Sequence, residues 1–221
     1  PFVHCTNNHL VIGDAIHIKT EYYQTADSIV DILDISGDDR KVLLVGGESG
    51  SGKSVTAMCL QQRLHLKGLL ALVLHQDDYF HLPPKTNHEK RLNDIQWVGL
   101  QEVKMDLLQI HLNMFLDNRP TLTKPLVNYR TNEILEENIP LSAYRIMIIE
   151  GTYVLQLHDA HTGIFMDRDY RQTRAQRLSR NREPYDEFIE QVLQIEHTII
   201  RSLRPRAQIL VNPDYSVTLQ H

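Results

Sequence analysis

The stretch VGGESGSGKSV at residues 45–55 decides the fold. It follows the apolar run KVLLVG (41–46) and runs into a pattern carrying Val55, Met58, Cys59 and Leu66 at helical spacing. A strand, a glycine-rich turn and a helix N-terminus in that order wrap an anion. The glycines let backbone N–H groups converge, and the helix end adds its partial positive charge. Gly47 to Ser54 fit GxxxxGK[ST], so Gly47, Glu48, Ser49, Gly50, Ser51, Gly52, Lys53, Ser54 and Val55 are the expected nucleotide-cradle residues. In such a loop Lys53 reaches the β- and γ-phosphates and the Ser54 hydroxyl ligates Mg²⁺, so ATP and Mg²⁺ are the expected cofactors. A flexible Gly/Ser turn is the bland alternative, and the flanking strand and helix argue against it.

Further apolar runs suit strands buried on both faces of a parallel sheet: LLALVLH (69–75), RIMIIE (145–150), AQILV (207–211) and GIFMD (163–167). Helical patterns alternate with them, Leu100, Val103, Leu107, Ile110 and Met114 in one, and Tyr185, Phe188 or Ile189, Val192, Ile195, Ile199 and Leu203 in another. The expected fold is α/β, a three-layer P-loop NTP-hydrolase fold with a mostly parallel sheet of about five strands. Upstream, LVIGDAIHIKT (10–20) reads as an edge strand or hairpin. EYYQTADSIVDIL (21–33) reads as a helix, so residues 1–40 form a small N-terminal extension of one domain spanning 1–221. SGDDR (36–40) reads as a turn, HLPPKTNHEK (81–90) as a polar loop and 118–133 as an irregular stretch.

At 221 residues and 42% hydrophobic, the chain suits one sizeable core. A net charge of −5 argues against general nucleic-acid affinity, which needs a basic stripe. No apolar run approaches the ~20 residues of a membrane helix, and the opening residues lack a secretory leader's pattern, so no membrane and a cytoplasmic location are expected. Cys5 and Cys59 have no metal-ligand spacing and read as reduced thiols; the 12 histidines form no zinc motif. A homo-oligomer is compatible with the sequence but cannot be read from it.

In a parallel sheet, ligands gather where strands end. HQDDYF (75–80) ends one apolar strand with Asp77 and Asp78, and Glu150 ends another, which puts carboxylates beside the phosphate cradle. A carboxylate there can accept the proton of an attacking hydroxyl or hold Mg²⁺, so Ser54, Asp77 and Glu150 are the candidate metal ligands.

GESGSGKS, HQDDYF, IMIIEG and IFMDRD with its trailing arginines, in that order over roughly 41–212, resemble the uridine kinase-like P-loop kinases. That group includes nicotinamide riboside kinases, phosphoribulokinases and bacterial-type pantothenate kinases. The resemblance implies an ATP-dependent kinase acting on a small-molecule hydroxyl, with Asp77 as base and Glu150 near the metal. It also implies a mobile lid bearing arginines, here a short one. Arg168, Arg171, Arg174, Arg177 and Arg180 recur every third residue and spiral around a helix, so they cannot all face one phosphate. Arg177 and Arg180 match the family's phosphate-facing arginines, Arg182 follows, and Arg168 and Arg171 read as a solvated face.

The acceptor side departs from the family. Its nucleoside kinases open the next helix with an aromatic-Asp pair whose Asp holds the ribose; here Trp97 and Val98 stand there, with Asp94 as the only nearby substitute. Trp97 either stacks on substrate or anchors the helix. Asp78, Tyr79, Tyr129 and Arg130 complete the substrate candidates. A nucleoside-like acceptor is the first expectation, a pantothenate-like or sugar alcohol the second. An NTPase switch or a non-catalytic nucleotide module is the alternative class. A guanine-reading NKxD run is missing, and Asp77 and Glu150 speak against lost catalysis.

Overall fold

A computed structural model describes residues 18–33, 35, 39–174, 177 and 187–220. Six strands form the main sheet in the order β2-β5-β1-β6-β7-β8, with β1 Lys41–Gly47, β2 Ala71–His75, β5 Ile146–Gly151, β6 Thr162–Met166, β7 Ile209–Val211 and β8 Val217–Leu219. The first five are parallel, and β8 pairs antiparallel with β7 as an edge. The five parallel strands are those expected from the apolar runs.

Alternation along the strands builds the layers. Val42 and Leu44 of β1, with Met147 and Ile149 of β5, join a core with Leu108, Leu112 and Phe115 of α4 (Met105–Leu116) and Ile200 and Leu203 of α5 (Glu187–Leu203). Leu43 and Val45, with Ile146 and Ile148, pack on the other face against α2 (Lys53–Leu66) and α1 (Thr20–Ile32) through Cys59, Leu60, Ala26 and Ile29. Helices therefore cover both faces of the sheet.

Four local expectations change. The stretch 118–133 enters an antiparallel hairpin, β3 Thr121–Asn128 with β4 Glu133–Pro140. Residues expected as a polar loop form α3 (Pro84–Asn93), where Pro84 sits in the first turn and its missing N–H costs nothing. In α4 the buried stripe is Leu108, His111, Leu112 and Phe115, one residue round from the one expected, and Ile110 is exposed. In α2, Leu66 is 73% exposed and Cys59 fully buried, which raises its thiol to about 11. Residues 10–17, Cys5, Tyr185 and most of the 36–40 turn lie outside the described residues. Among the described residues no helix is long and apolar enough to cross a membrane.

Candidate active site

Parallel register gathers the site. Val45 of β1 pairs with Glu150 of β5, which pairs with His75 of β2, so the cradle, Glu150 and the HQDDYF run share the C-terminal edge of the sheet. The cradle turns through Gly50 (φ 76°) and Gly52 (φ 100°) in the left-handed region that favours glycine. A Cβ on Gly52 would also meet the Tyr22 hydroxyl at 2.7 Å, so α1 packs directly against the turn.

Lys53 Nζ donates to the Glu48 carbonyl at 2.9 Å. The Glu48 side chain turns toward Tyr170 and α5. It is buried, accepts from Tyr170 N at 2.6 Å and meets His197 Nδ1 of α5 at 2.8 Å. Burial raises its pKa against the pull of His197 and the Tyr170 N–H. Thr173 Oγ1 donates to Ser49 O at 2.8 Å, so residues 170–173 lie clamped on the loop. Val55, expected with the cradle, buries its side chain in the core.

Glu150 is the hub of the strand ends. Ser54 Oγ donates to its Oε1 at 3.0 Å, and His75 Nδ1 lies 2.7 Å from the same oxygen. Burial opposes ionisation of Glu150, but the His75 hydrogen bond and charge, with Lys53 and Ser54, outweigh it and hold the carboxyl below its usual range. His75 is shifted upward, because Glu150, Asp78 and Asp77 overcome its desolvation. A hydroxyl and a carboxylate are hard oxygen donors in the small number Mg²⁺ takes from a protein beside phosphates and water. Among the described residues no three His, Cys, Asp or Glu side chains gather as a self-sufficient metal site. Asp77, in the 3-10 turn Gln76–Tyr79, is half-buried, and Tyr129 OH donates to its Oδ2 at 3.5 Å.

Two of the substrate candidates turn inward. Asp78 is buried, bonded to Lys124 Nζ at 2.6 Å and to Val127 N at 3.0 Å, and ties β3 to the 3-10 turn. Neighbouring side chains diverge here, so Asp77 can face the cradle while its neighbour braces the hairpin. Tyr79 is fully buried with its hydroxyl 2.8 Å from His111 Nδ1. Arg130 is exposed at the hairpin tip.

Trp97 lies in a 3-10 turn, Ile95–Trp97, rather than opening a helix, and its Nε1 donates to Asn87 Oδ1 at 2.9 Å. Val98 is buried, and Asp94 caps the same turn through Gln96 N. Val98 brings no carboxylate, and Oδ1 of the half-buried Asp94 is taken by Gln96 N. A network not foreseen from sequence stands here instead. Arg91 of α3 binds Glu102 through Nε (2.5 Å) and Nη2 (3.0 Å), and Nη2 also reaches Glu196 Oε1 of α5 at 3.0 Å. Glu102 is fully buried and also accepts from Asn87 Nδ2 and Gly99 N. Burial raises the pKa of Glu196 despite Arg91, and the charge of Lys53 also acts on it. The sequence signal for Glu196 is only a charge on an otherwise apolar stripe, and Arg91 lies on a helix without one.

Of the arginines, Arg177 Nη2 donates to Tyr170 O at 2.7 Å, and its Cγ sits beside Gly50, over the cradle. Arg168, expected as solvated, is buried against the Tyr215 ring at 3.9 Å and donates to Pro213 O. Its long stem and planar head suit that stacking better than water does. Arg171 and Arg174 are exposed; Arg180 and Arg182 lie outside the described residues.

No family model matches the chain. A uridine kinase of Bacillus velezensis is 30% identical over 178 residues, covering 76% of this chain and 79% of that protein. The bifunctional alpha-galactosidase/sucrose kinase of Mediterraneibacter gnavus is 28% identical over 198 residues; the match covers 83% of this chain but spans only 21% of that protein. Among solved structures, one described as a possible uridine kinase from Bacillus stearothermophilus superposes with a TM-score of 0.65 at 23% identity, covering 86% of this chain and 98% of that one.

Proposed function

Because the chain belongs to the uridine kinase-like family of P-loop kinases and is a small-molecule kinase, we propose that it transfers the γ-phosphoryl of ATP to a hydroxyl of a nucleoside-like acceptor. The observation that carries this reading is the position of Asp77. It is half-buried at the end of β2, on the edge shared with the Lys53 cradle and the Ser54–Glu150 pair, with the Tyr129 hydroxyl on its carboxylate. Asp77 accepts the acceptor's hydroxyl proton as its oxygen attacks. Lys53 leaves the Glu48 carbonyl for the phosphates, and Arg177, close over Gly50, adds positive charge. Ser54 and Glu150 would hold Mg²⁺, which neutralises charge on the transferring group. His75 fixes the Glu150 carboxylate through Oε1, the oxygen that Ser54 also engages. Most of the acceleration is then positioning and electrostatics.

A sugar acceptor is the second reading. The buried Val98 leaves the ribose-holding position empty of charge, and one similar protein is named as a sucrose kinase. Acceptor-dependent ADP release across uridine, cytidine, nicotinamide riboside, pantothenate, hexoses and sucrose tests both. The expected result is turnover with at least one of them; ATP hydrolysis indifferent to every acceptor would contradict the kinase reading.

A further inference from the structure

We infer that the acceptor subsite reads a neutral, polyhydroxylated molecule through the Glu196–Arg91 pair and turns away alcohols that carry their own negative charge. The inference rests on the kinase reading and narrows its acceptor class.

The pair joins α3 to α5 on the side of the cradle. Glu196 reaches Arg91 of α3 on one side and feels the Lys53 charge on the other, and the next residue of α5, His197, meets Glu48 of the cradle. Charge is unevenly shared in this cluster. One guanidinium faces two carboxylates, and Glu102 is committed to Arg91, Asn87 and Gly99 N. Glu196 places a single oxygen on Arg91, while its other oxygen takes no hydrogen bond from the described residues; its side chain is 12% exposed. Arg91 Nη1 is likewise unengaged among the described residues. A carboxylate oxygen beside a guanidinium N–H is one acceptor and one donor, the pair that two hydroxyls of a polyol satisfy together.

An anionic alcohol meets the opposite situation. It would have to approach a desolvated carboxylate whose burial already disfavours its charge, or displace Glu196 from Arg91 and leave that carboxylate unpaired. Lys90 is no substitute, since it lies over the Trp97 ring 5.7 Å from its centroid and faces Asp94 at 3.7 Å. Lys85 and Arg130 are exposed at the rim, where water screens them. The half-buried indole of Trp97, with Lys90 over its ring and His81 beside it, is oriented by the same network through Asn87 and Glu102.

The test measures acceptor-dependent ADP release for wild type, Glu196→Gln and Glu196→Asp. The panel contains neutral alcohols (uridine, a hexose, sucrose) and anionic ones (pantothenate, a pentose phosphate). Calorimetry gives the affinity for a non-hydrolysable ATP analogue. Wild type is expected to use only neutral acceptors. Glu196→Gln is expected to raise their KM about tenfold or more, on the scale of a charge-assisted hydrogen bond, with the analogue's Kd within about twofold. Glu196→Asp keeps the neutral preference. Turnover of an anionic alcohol at least as efficient as of any neutral one overturns the inference while leaving the kinase reading standing, as does an unchanged neutral KM in Glu196→Gln. Turnover with no alcohol overturns both.

Discussion

The phosphate cradle and the proposed acceptor side of this site are built by opposite means. Residues 47–54 form the cradle from one continuous turn between β1 and α2, and its geometry is set by glycines and by the helix start. The proposed acceptor side is assembled from three separated pieces, α3, the turn at Trp97 and α5, joined by the Arg91–Glu102–Glu196 and Asn87–Trp97 contacts. A contiguous loop can keep its shape while its surroundings vary. A site made of distant side chains can change its preference by single substitutions without touching the chemistry.

That contrast can be broken experimentally. Glu102→Ala should have the largest effect, because it leaves Arg91 and Asn87 without their buried partner. A loss of about 3–5 kcal/mol is expected, seen as a fall in Tm of roughly 10 °C or more. A Tm within 2 °C of wild type would mean that the acceptor side does not depend on this network. Lys53→Met should act on the other half, lowering kcat by about 10²–10³-fold with little change in Tm, since the lysine's described bond is to a loop carbonyl. Loss of fold without a kinetic effect would reverse the assignment.

The smallest effect belongs to neither half. Asp167, at the end of β6, pairs with Arg201 in the last turn of α5 and with Arg204 just beyond it. Burial raises its pKa, but the two arginines together outweigh it and hold the carboxyl below its usual range. A depressed carboxylate stabilises the fold above its unfolded pKa, near 3.8, and this contribution fades as the pH falls through the lower folded value. Asp167→Asn should therefore lose at most about 1 kcal/mol at pH 7, with a flatter acid limb below pH 4 in urea titrations. A parallel acid limb would show that the pairing is without thermodynamic weight.

The same division explains what could be read from sequence. The cradle, the five parallel strands and the carboxylates ending them follow from local patterns, because strand burial and turn chemistry are written in adjacent residues. The α3 helix was hidden by its polar composition: only Asn87 of it is buried, so no apolar stripe marks it. The α4 stripe was misread by one position because Ile110 is exposed while His111, bonded to Tyr79, takes a core place. Glu48 shows the limit of motifs. Its position in the loop was evident, but its burial against Tyr170 and His197 depends on residues more than a hundred positions away. Glu196 and Arg91, 105 positions apart, had no sequence signal joining them.

The most direct test of the account is the steady-state kinetics of Asp77→Asn with its best acceptor. On the proposed mechanism the Asp77 carboxylate, at the strand-end edge it shares with the cradle, only takes a proton, so kcat should fall by about two decades or more while both KM values stay within about threefold. An unchanged kcat, or a loss confined to KM, would remove Asp77 as the base and with it the proposed mechanism.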